Sequence, residues 1–305
     1  MRSLSRTLAC GLVLAVVAVL TACTSDDPDT PALGAAPPPT AGISAVFTQI
    51  YDGNFDANNA GAPYDKFDIV YVAFAHIDPV THELDFETKV GKDVERKRLE
   101  QLKANVASLR AAGKLKLVIS LGWGPQEMTS DGTPLIEAYI DKVAPSIPKF
   151  LEQNGLDGFD IDYETPRFTS KAKFAEVARK IREAIGDDYL FTITPNNVDG
   201  LDGPALATYF DYVNAQSYNA NRDAVFSTLD LLNLGVPASK VVAGADIENI
   251  NHYNGDRNRV AWAINEYKTR KLGGVFIWQM LPVSHTFPGG TFGSYASEVW
   301  NATRP

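Results

Sequence analysis

Cysteine is almost missing from this chain of 305 residues, which has only Cys10 and Cys23. Cys10 lies inside an apolar run, residues 8–20, that follows Arg2 and Arg6 and precedes the small residues Thr21 and Ala22. That is the layout of a secretory leader removed on export. Only Cys23 would survive, which excludes a disulfide framework. Histidine is as scarce: His76, His82, His252 and His285 show no metal-ligand spacing and read as surface or loop residues. No glycine-rich phosphate loop follows the first strand candidate, and no cofactor is implied. Positive charge is also in short supply. Without the leader, 26 Lys and Arg face 37 Asp and Glu, so the formal charge moves from −9 to −11. An acidic surface argues against nucleic acid or an anionic membrane as partner. A neutral polymer such as a glycan is compatible with it.

The cleavage point carries more information. Leu20-Thr21-Ala22-Cys23 resembles the bacterial lipobox, in which the cysteine thiol receives a diacylglycerol and becomes the new N-terminus. An ordinary signal peptide with an incidental cysteine is the alternative. Residues 24–40, with Asp26, Asp27, Asp29 and Pro37-Pro38-Pro39, hold almost no large apolar side chains and read as a spacer. The expected organisation is a leader at 1–22, a disordered linker at 23–40 with Cys23 lipidated, and one catalytic domain at 41–305. Export to a bacterial cell envelope or surface follows, with membrane contact only through the lipid, and a monomer is expected.

From residue 43 onward, short runs rich in Val, Ile, Phe and Tyr alternate with stretches of helical period, the pattern of repeated βα units around a parallel sheet. Strands are expected at 45–51, 69–75, 116–121, 158–162, 190–194, 212–217, 241–245 and 274–279. Helices are expected at 94–112, 134–153, 170–185, 224–234 and 257–271. Eight strands in one domain of this size fit a closed (β/α)8 TIM barrel, whose chemistry sits at the C-terminal strand ends. A doubly wound open sheet is the rival. The gap after the seventh strand is short, so no α+β insertion domain is expected there.

In Asp157-Gly158-Phe159-Asp160-Ile161-Asp162-Tyr163-Glu164, three acids recur at every second position of an apolar strand. Side chains two apart share a face, so Asp160, Asp162 and Glu164 would point into the barrel with Glu164 at its mouth. Three such carboxylates cannot all ionise unless a cation is bound. The chemical reading is a proton donor, Glu164, whose pKa is raised by burial and by its neighbours. A site for a hard cation remains open, because alternating carboxylates suit one as well.

This segment resembles the Asp-Gly-x-Asp-x-Asp-x-Glu signature of glycoside hydrolase family 18, a family of chitinases, endo-β-N-acetylglucosaminidases and some inactive lectin-like relatives. Val118-Ile119-Ser120-Leu121-Gly122 is similar to the family's third-strand motif, in which the serine helps hold the inner aspartate. Trp123 stands where a second glycine is usual, as a sugar platform or a loop anchor. Gln216-Ser217-Tyr218-Asn219 is similar to the sixth-strand motif in which a tyrosine hydroxyl meets the substrate's acetamido group. Many relatives carry Met and Asp where this chain has Gln216 and Asn219, and the two amides imply neutral hydrogen bonding in the subsite. Trp278 resembles the last-strand tryptophan that floors the cleavage subsite, a buried core residue being the alternative. Tyr51, Phe74 and Asn196 fall near strand ends where cleft residues gather, and Asp246 and Glu248 could line the cleft.

The resemblance implies hydrolysis of β-1,4 bonds next to N-acetylglucosamine with retention. The substrate's own acetamido oxygen would attack C1, Asp162 would steady the acetamido group with Asp160 beneath it, Tyr218 would bond the acetamido oxygen, and Glu164 would give and reclaim a proton. An endo-acting chitinase is the leading expectation. The chitobiose core of N-glycans, peptidoglycan and a non-catalytic glycan-binding barrel are the alternatives.

Overall fold

A computed structural model describes residues 41–86, 89–122, 124–165, 167–218, 227–247, 259–287 and 289–305. Its frame is eight parallel strands: β1 (Ile43–Gln49), β2 (Ile69–Ile77), β3 (Lys116–Leu121), β4 (Gly158–Tyr163), β5 (Leu190–Pro195), β6 (Tyr212–Ala215), β7 (Val241–Asp246) and β8 (Gly274–Trp278). Each pairs with the next, and β8 pairs back onto β1 through Ile43↔Gly274 to Val46↔Ile277. That closure excludes the open sheet. The strand ends lie within two residues of those expected from sequence. Tyr51 and Ser217 fall outside because the ladders stop earlier, at Gln49↔Ala73 and Ala215↔Ala243.

The outer helices are α1 (Phe55–Asn59), α2 (Lys92–Ala111), α3 (Ile140–Asn154), α4 (Lys171–Ile185), α5 (Gly203–Tyr209), α6 (Thr228–Asn233), α7 (Arg259–Arg270) and α8 (Phe292–Thr303). Among the described residues none is long and apolar enough to cross a membrane. The single helix expected over 134–153 is two, Leu135–Ala138 and then α3. Tyr139 breaks it with φ −123° and ψ 27°, and its ring stacks on His82 at 3.5 Å. Helices α1, α5 and α8 escape sequence reading because they are too short or too terminal to show a period. A short strand, Leu84–Phe86, also pairs antiparallel to the end of β2. Only residues 247–258 separate β7 from α7, so no insertion domain stands there.

Alternation along the strands builds two apolar layers. Ile43, Ala45, Phe47, Tyr71, Ala73, Val118, Val242 and Phe276 fill the barrel. Val46, Val70, Val72, Ile119, Phe159, Ile161, Phe191 and Ile193 face the helices. Each large side chain so buried contributes about 1.5–3 kcal/mol. The motif glycine has a packing reason: a Cβ on Gly158 would lie 2.5 Å from the Leu190 carbonyl oxygen. Helix α4 starts where the Ser170 hydroxyl accepts the Lys173 N–H at 3.2 Å.

His76 corrects an expectation, since it sits half-buried on β2 rather than in a loop, and His82 is half-buried against Tyr139. His285 is exposed as expected. The leader, Cys23, the spacer, Trp123, Asn219, Glu248 and His252 lie outside the described residues.

Candidate active site

Strand register assembles the acids. Asp160 on β4 lies level with Ser120 on β3 and Thr192 on β5, and Asp162 lies level with Thr194. Hydroxyls therefore converge on Asp160: Ser120 donates to Oδ2 at 2.7 Å, Thr192 to Oδ1 at 2.6 Å, and Thr194 approaches both oxygens at 3.0 and 3.1 Å. Asn214 on β6 backs Thr194, donating to its hydroxyl at 3.0 Å. Asp160 is fully buried, so these donors replace its lost water. Ser120, expected in the site, is likewise fully buried, where it holds Asp160 and is not among the residues that line the cavity above the acids.

One step toward the mouth, Asp162 is 9% exposed and accepts the Gln216 side-chain N–H at 2.7 Å. Gln216 gives its amide also to the Thr194 carbonyl at 2.9 Å. Its amide thus meets the acids themselves. Glu164 follows at the end of β4, half-buried.

Burial and mutual repulsion set the protonation of this ladder. Burial lifts Asp160 to about 6 against the pull of its three hydroxyl partners. Asp162 is pushed well above the carboxylate range by burial, then by the charges of Glu164 and Asp160, with Gln216 opposing. Burial also raises Glu164, and Gln216 again opposes. The outer two acids therefore act as one unit that retains a proton where ordinary carboxyls have lost it. Among the described residues no three His, Cys, Asp or Glu side chains converge to hold a metal ion. Hydroxyl and amide donors take that place around the acids.

Above the ladder lies a cavity of about 140 Å³. It is lined by the rings of Phe47, Tyr218 and Trp278, by Asp162, Glu164, Gln216 and Thr194, and by Asp246 at the end of β7. Tyr218 is 4% exposed and packs edge-on to Phe276, with ring centroids 5.9 Å apart. Trp278 begins an aromatic row, since Phe74 stacks on it at 6.2 Å and Tyr51 on Phe74 at 6.0 Å. The peptide bonds Ala73–Phe74 and Trp278–Gln279 are cis. Asn196 is not brought into the cavity; its backbone N–H bonds the Tyr163 carbonyl and its side chain accepts from Asn197.

A larger cavity, about 720 Å³, opens at the other end of the barrel between Tyr212, Lys116 and Trp300. It holds no comparable chemistry. Lys66 pairs with Asp65, Arg304 with Asp68, and the Arg304 guanidinium covers the Trp300 ring at 3.5 Å.

Sequence reading did not name Thr192, Thr194 or Asn214. The signal was present, because Thr192-Ile193-Thr194 alternates in phase with the acids one strand earlier.

With this geometry in place, comparison with known proteins decides the family. The sequence profile of the glycosyl hydrolases family 18 matches residues 47–247. The chain belongs to that family. Exochitinase 1 of Streptomyces olivaceoviridis is 24% identical over 174 residues, a match that covers 52% of this chain and 28% of that protein. Among solved structures, a family 18 chitinase of Cycas revoluta in complex with (GlcNAc)4 superposes with a TM-score of 0.67 at 16% identity, over 85% of this chain and 99% of its own. A chitinase of Bacteroides thetaiotaomicron superposes with a TM-score of 0.63 at 18% identity, over 87% and 97%. At these identities the superpositions establish the shared barrel.

Proposed function

We propose that this family 18 chain is a retaining, substrate-assisted glycoside hydrolase that cuts β-1,4 bonds next to N-acetylglucosamine inside a chitin-like chain. The observation that carries the reading is the ladder of Asp160, Asp162 and Glu164, which ends under a cavity bounded by Tyr218 and Trp278.

A sugar at the cut lays its C–H face on the Trp278 indole. Glu164, kept protonated by burial, gives its proton to the glycosidic oxygen as the C1–O bond breaks. The acetamido oxygen attacks C1 from the opposite face and forms an oxazolinium ion. Asp162 accepts the acetamido N–H and offsets the positive charge, while Tyr218 donates to the acetamido oxygen. Water then attacks C1 from the side the leaving group left, and Glu164, now a carboxylate, takes its proton back. Two inversions give retention. Asp160 supports the pair from below, where its charge adds to the burial that raises the proton affinity of Asp162.

Internal cleavage is the expected mode, because only residues 247–258 lie between β7 and α7, too few for a wall over the groove. Export and anchoring through Cys23 belong to the same proposal, supported by the leader and by the position of the cysteine. Lipid incorporation lost in Cys23→Ser tests it.

The decisive experiment is product analysis with the full-length protein and its Glu164→Gln variant on an N-acetylglucosamine pentasaccharide and a high-mannose glycopeptide. Cleavage of the pentasaccharide by the wild type alone, at several bonds, is expected. Cleavage of the glycopeptide alone moves the assignment to the N-glycan core. Equal binding by both proteins without cleavage moves it to a glycan-binding barrel.

A further inference from the structure

Tyr71 on β2 has no part in the mechanism above, yet its hydroxyl lies within reach of the Asp160 charge. The residue is fully buried in the filling of the barrel, with its ring stacked on Phe47 at 4.6 Å between centroids. A phenylalanine would fill that place as well and would avoid the desolvation of a hydroxyl. In the structure the hydroxyl makes no hydrogen bond of ordinary geometry, and neither does Asn214 Oδ1, which is also fully buried. Strands β2 and β6 stand four apart in a ring of eight, on opposite sides of the barrel. The tyrosine therefore spans the interior, and its hydroxyl comes beside Asn214 on β6 and Thr192 on β5.

What those two residues already do fixes what the hydroxyl can do between them. Thr192 gives its only proton to Asp160 Oδ1 at 2.6 Å, so its oxygen is left to accept. Asn214 gives one N–H to the Thr194 hydroxyl at 3.0 Å and has a second to give. Burial, and then the Asp160 charge, hold the phenol far above its ordinary pKa, with Asn214 and Thr192 opposing, so Tyr71 keeps its proton across the neutral range.

We propose that Tyr71 is a positioning residue that completes a relay across the barrel, in which the Asn214 amide gives to the Tyr71 hydroxyl, Tyr71 gives to Thr192, and Thr192 gives to Asp160. The two links through Tyr71 stand open in the structure and close over one buried water or by a turn of the ring. Each donor in such a chain is strengthened by the one behind it. Tyr71 thus makes Thr192 a better donor to the ionised Asp160, which holds the proton affinity of the inner acid down. The relay extends to the reacting pair, because Asp162 feels the Asp160 charge. The other titratable groups nearby are Tyr212 on β6, which acts on Tyr71, and Glu164, Asp246 and Tyr218 around the cavity above. The effect on Asp160 is independent of the proposed reaction, while the effect on rate rests on it.

The test uses the full-length protein with Tyr71→Phe, which keeps the ring, alone and combined with Asp160→Asn. Urea unfolding is followed from pH 3.8 to well above pH 6, the window in which folded Asp160 ionises and stability falls. In Tyr71→Phe the upper end of that fall is expected to move upward by about half a pH unit, because the folded Asp160 holds its proton more tightly. The shift is expected to vanish in the Asp160→Asn background. On an N-acetylglucosamine pentasaccharide, kcat of Tyr71→Phe is expected to fall about threefold with KM within about twofold of wild type. A fall in stability that ends at the wild-type pH, or a shift that survives in the Asp160→Asn background, overturns the inference. So does a Tyr71→Phe protein more stable than wild type at every pH, the result of removing an idle buried hydroxyl. If the wild type does not cut the pentasaccharide, the proposed reaction fails and the unfolding profiles alone decide the role of Tyr71.

Discussion

Gln216 donates to Asp162 Oδ1 at 2.7 Å and to the Thr194 carbonyl at 2.9 Å, so one neutral amide ties β6 to the reacting acids. Its effect on both outer acids is the same, because a donor to the charged form lowers the pKa of Asp162 and of Glu164. Removing it in Gln216→Met therefore raises both. The bell-shaped profile of kcat/KM against pH is expected to move upward as a whole, and kcat to fall about tenfold. An unmoved profile would show that Gln216 serves the substrate and not the acids.

Asp160 makes a prediction about stability. Its folded pKa of about 6 exceeds the ordinary aspartate value of 3.8. The folded state thus binds the proton more tightly than the unfolded chain, and ionisation at higher pH favours unfolding. The penalty is absent below pH 3.8 and complete above about pH 6. Asp162 and Glu164 act in the same direction. Urea unfolding across this window should show Asp160→Asn losing less stability than wild type as pH rises.

The frame of the protein is legible in its sequence because barrel strands buried on both faces are near-continuous apolar runs, and because the acids of β4 alternate with Phe159 and Ile161. Asp160, Asp162 and Glu164 could be named for that reason, and Tyr218 and Trp278 through the motifs that resemble the family's. What stayed hidden depends on register between strands. The alternation of Thr192 and Thr194 does not by itself say that they meet Asp160, and nothing local to Asn214 says that it backs Thr194. Gln216 illustrates the same limit: the motif places it near a substrate, while only the fold shows its amide on Asp162. The helices α1 and α5 stayed hidden for want of length.

The aromatic row gives a binding prediction. Tyr51 stacks on Phe74 and Phe74 on Trp278, which extends the floor of the cavity outward along the groove. Tyr51→Ala should raise KM for a pentasaccharide about fivefold and leave KM for a disaccharide aryl glycoside unchanged. Equal changes on both substrates would place Tyr51 at the reacting sugar.

Far from the cleft, Arg304 closes the barrel and predicts a loss of stability without a loss of chemistry. Its guanidinium meets both oxygens of Asp68 at 2.7 and 2.9 Å, the Gly42 carbonyl at 3.0 Å and the Trp300 ring at 3.5 Å. Asp68 in turn accepts the Ser44 N–H at 2.8 Å, so the group joins the end of α8 to the start of β1. One nitrogen, Nη2, makes both Asp68 contacts, which are charge-assisted, and both side chains are about three-quarters covered, the paired groups retaining 25% and 30% exposure. Arg304→Ala also strands the Asp68 carboxylate, and about 2 kcal/mol of unfolding free energy should be lost, read by urea titration. Lysine cannot reach Asp68 and the Gly42 carbonyl together while lying flat on the indole, so Arg304→Lys should recover less than half. kcat should stay within twofold of wild type in both variants, since Arg304 stands at the opposite end of the barrel from Glu164; a large fall in kcat would mean that the barrel transmits strain along its full length.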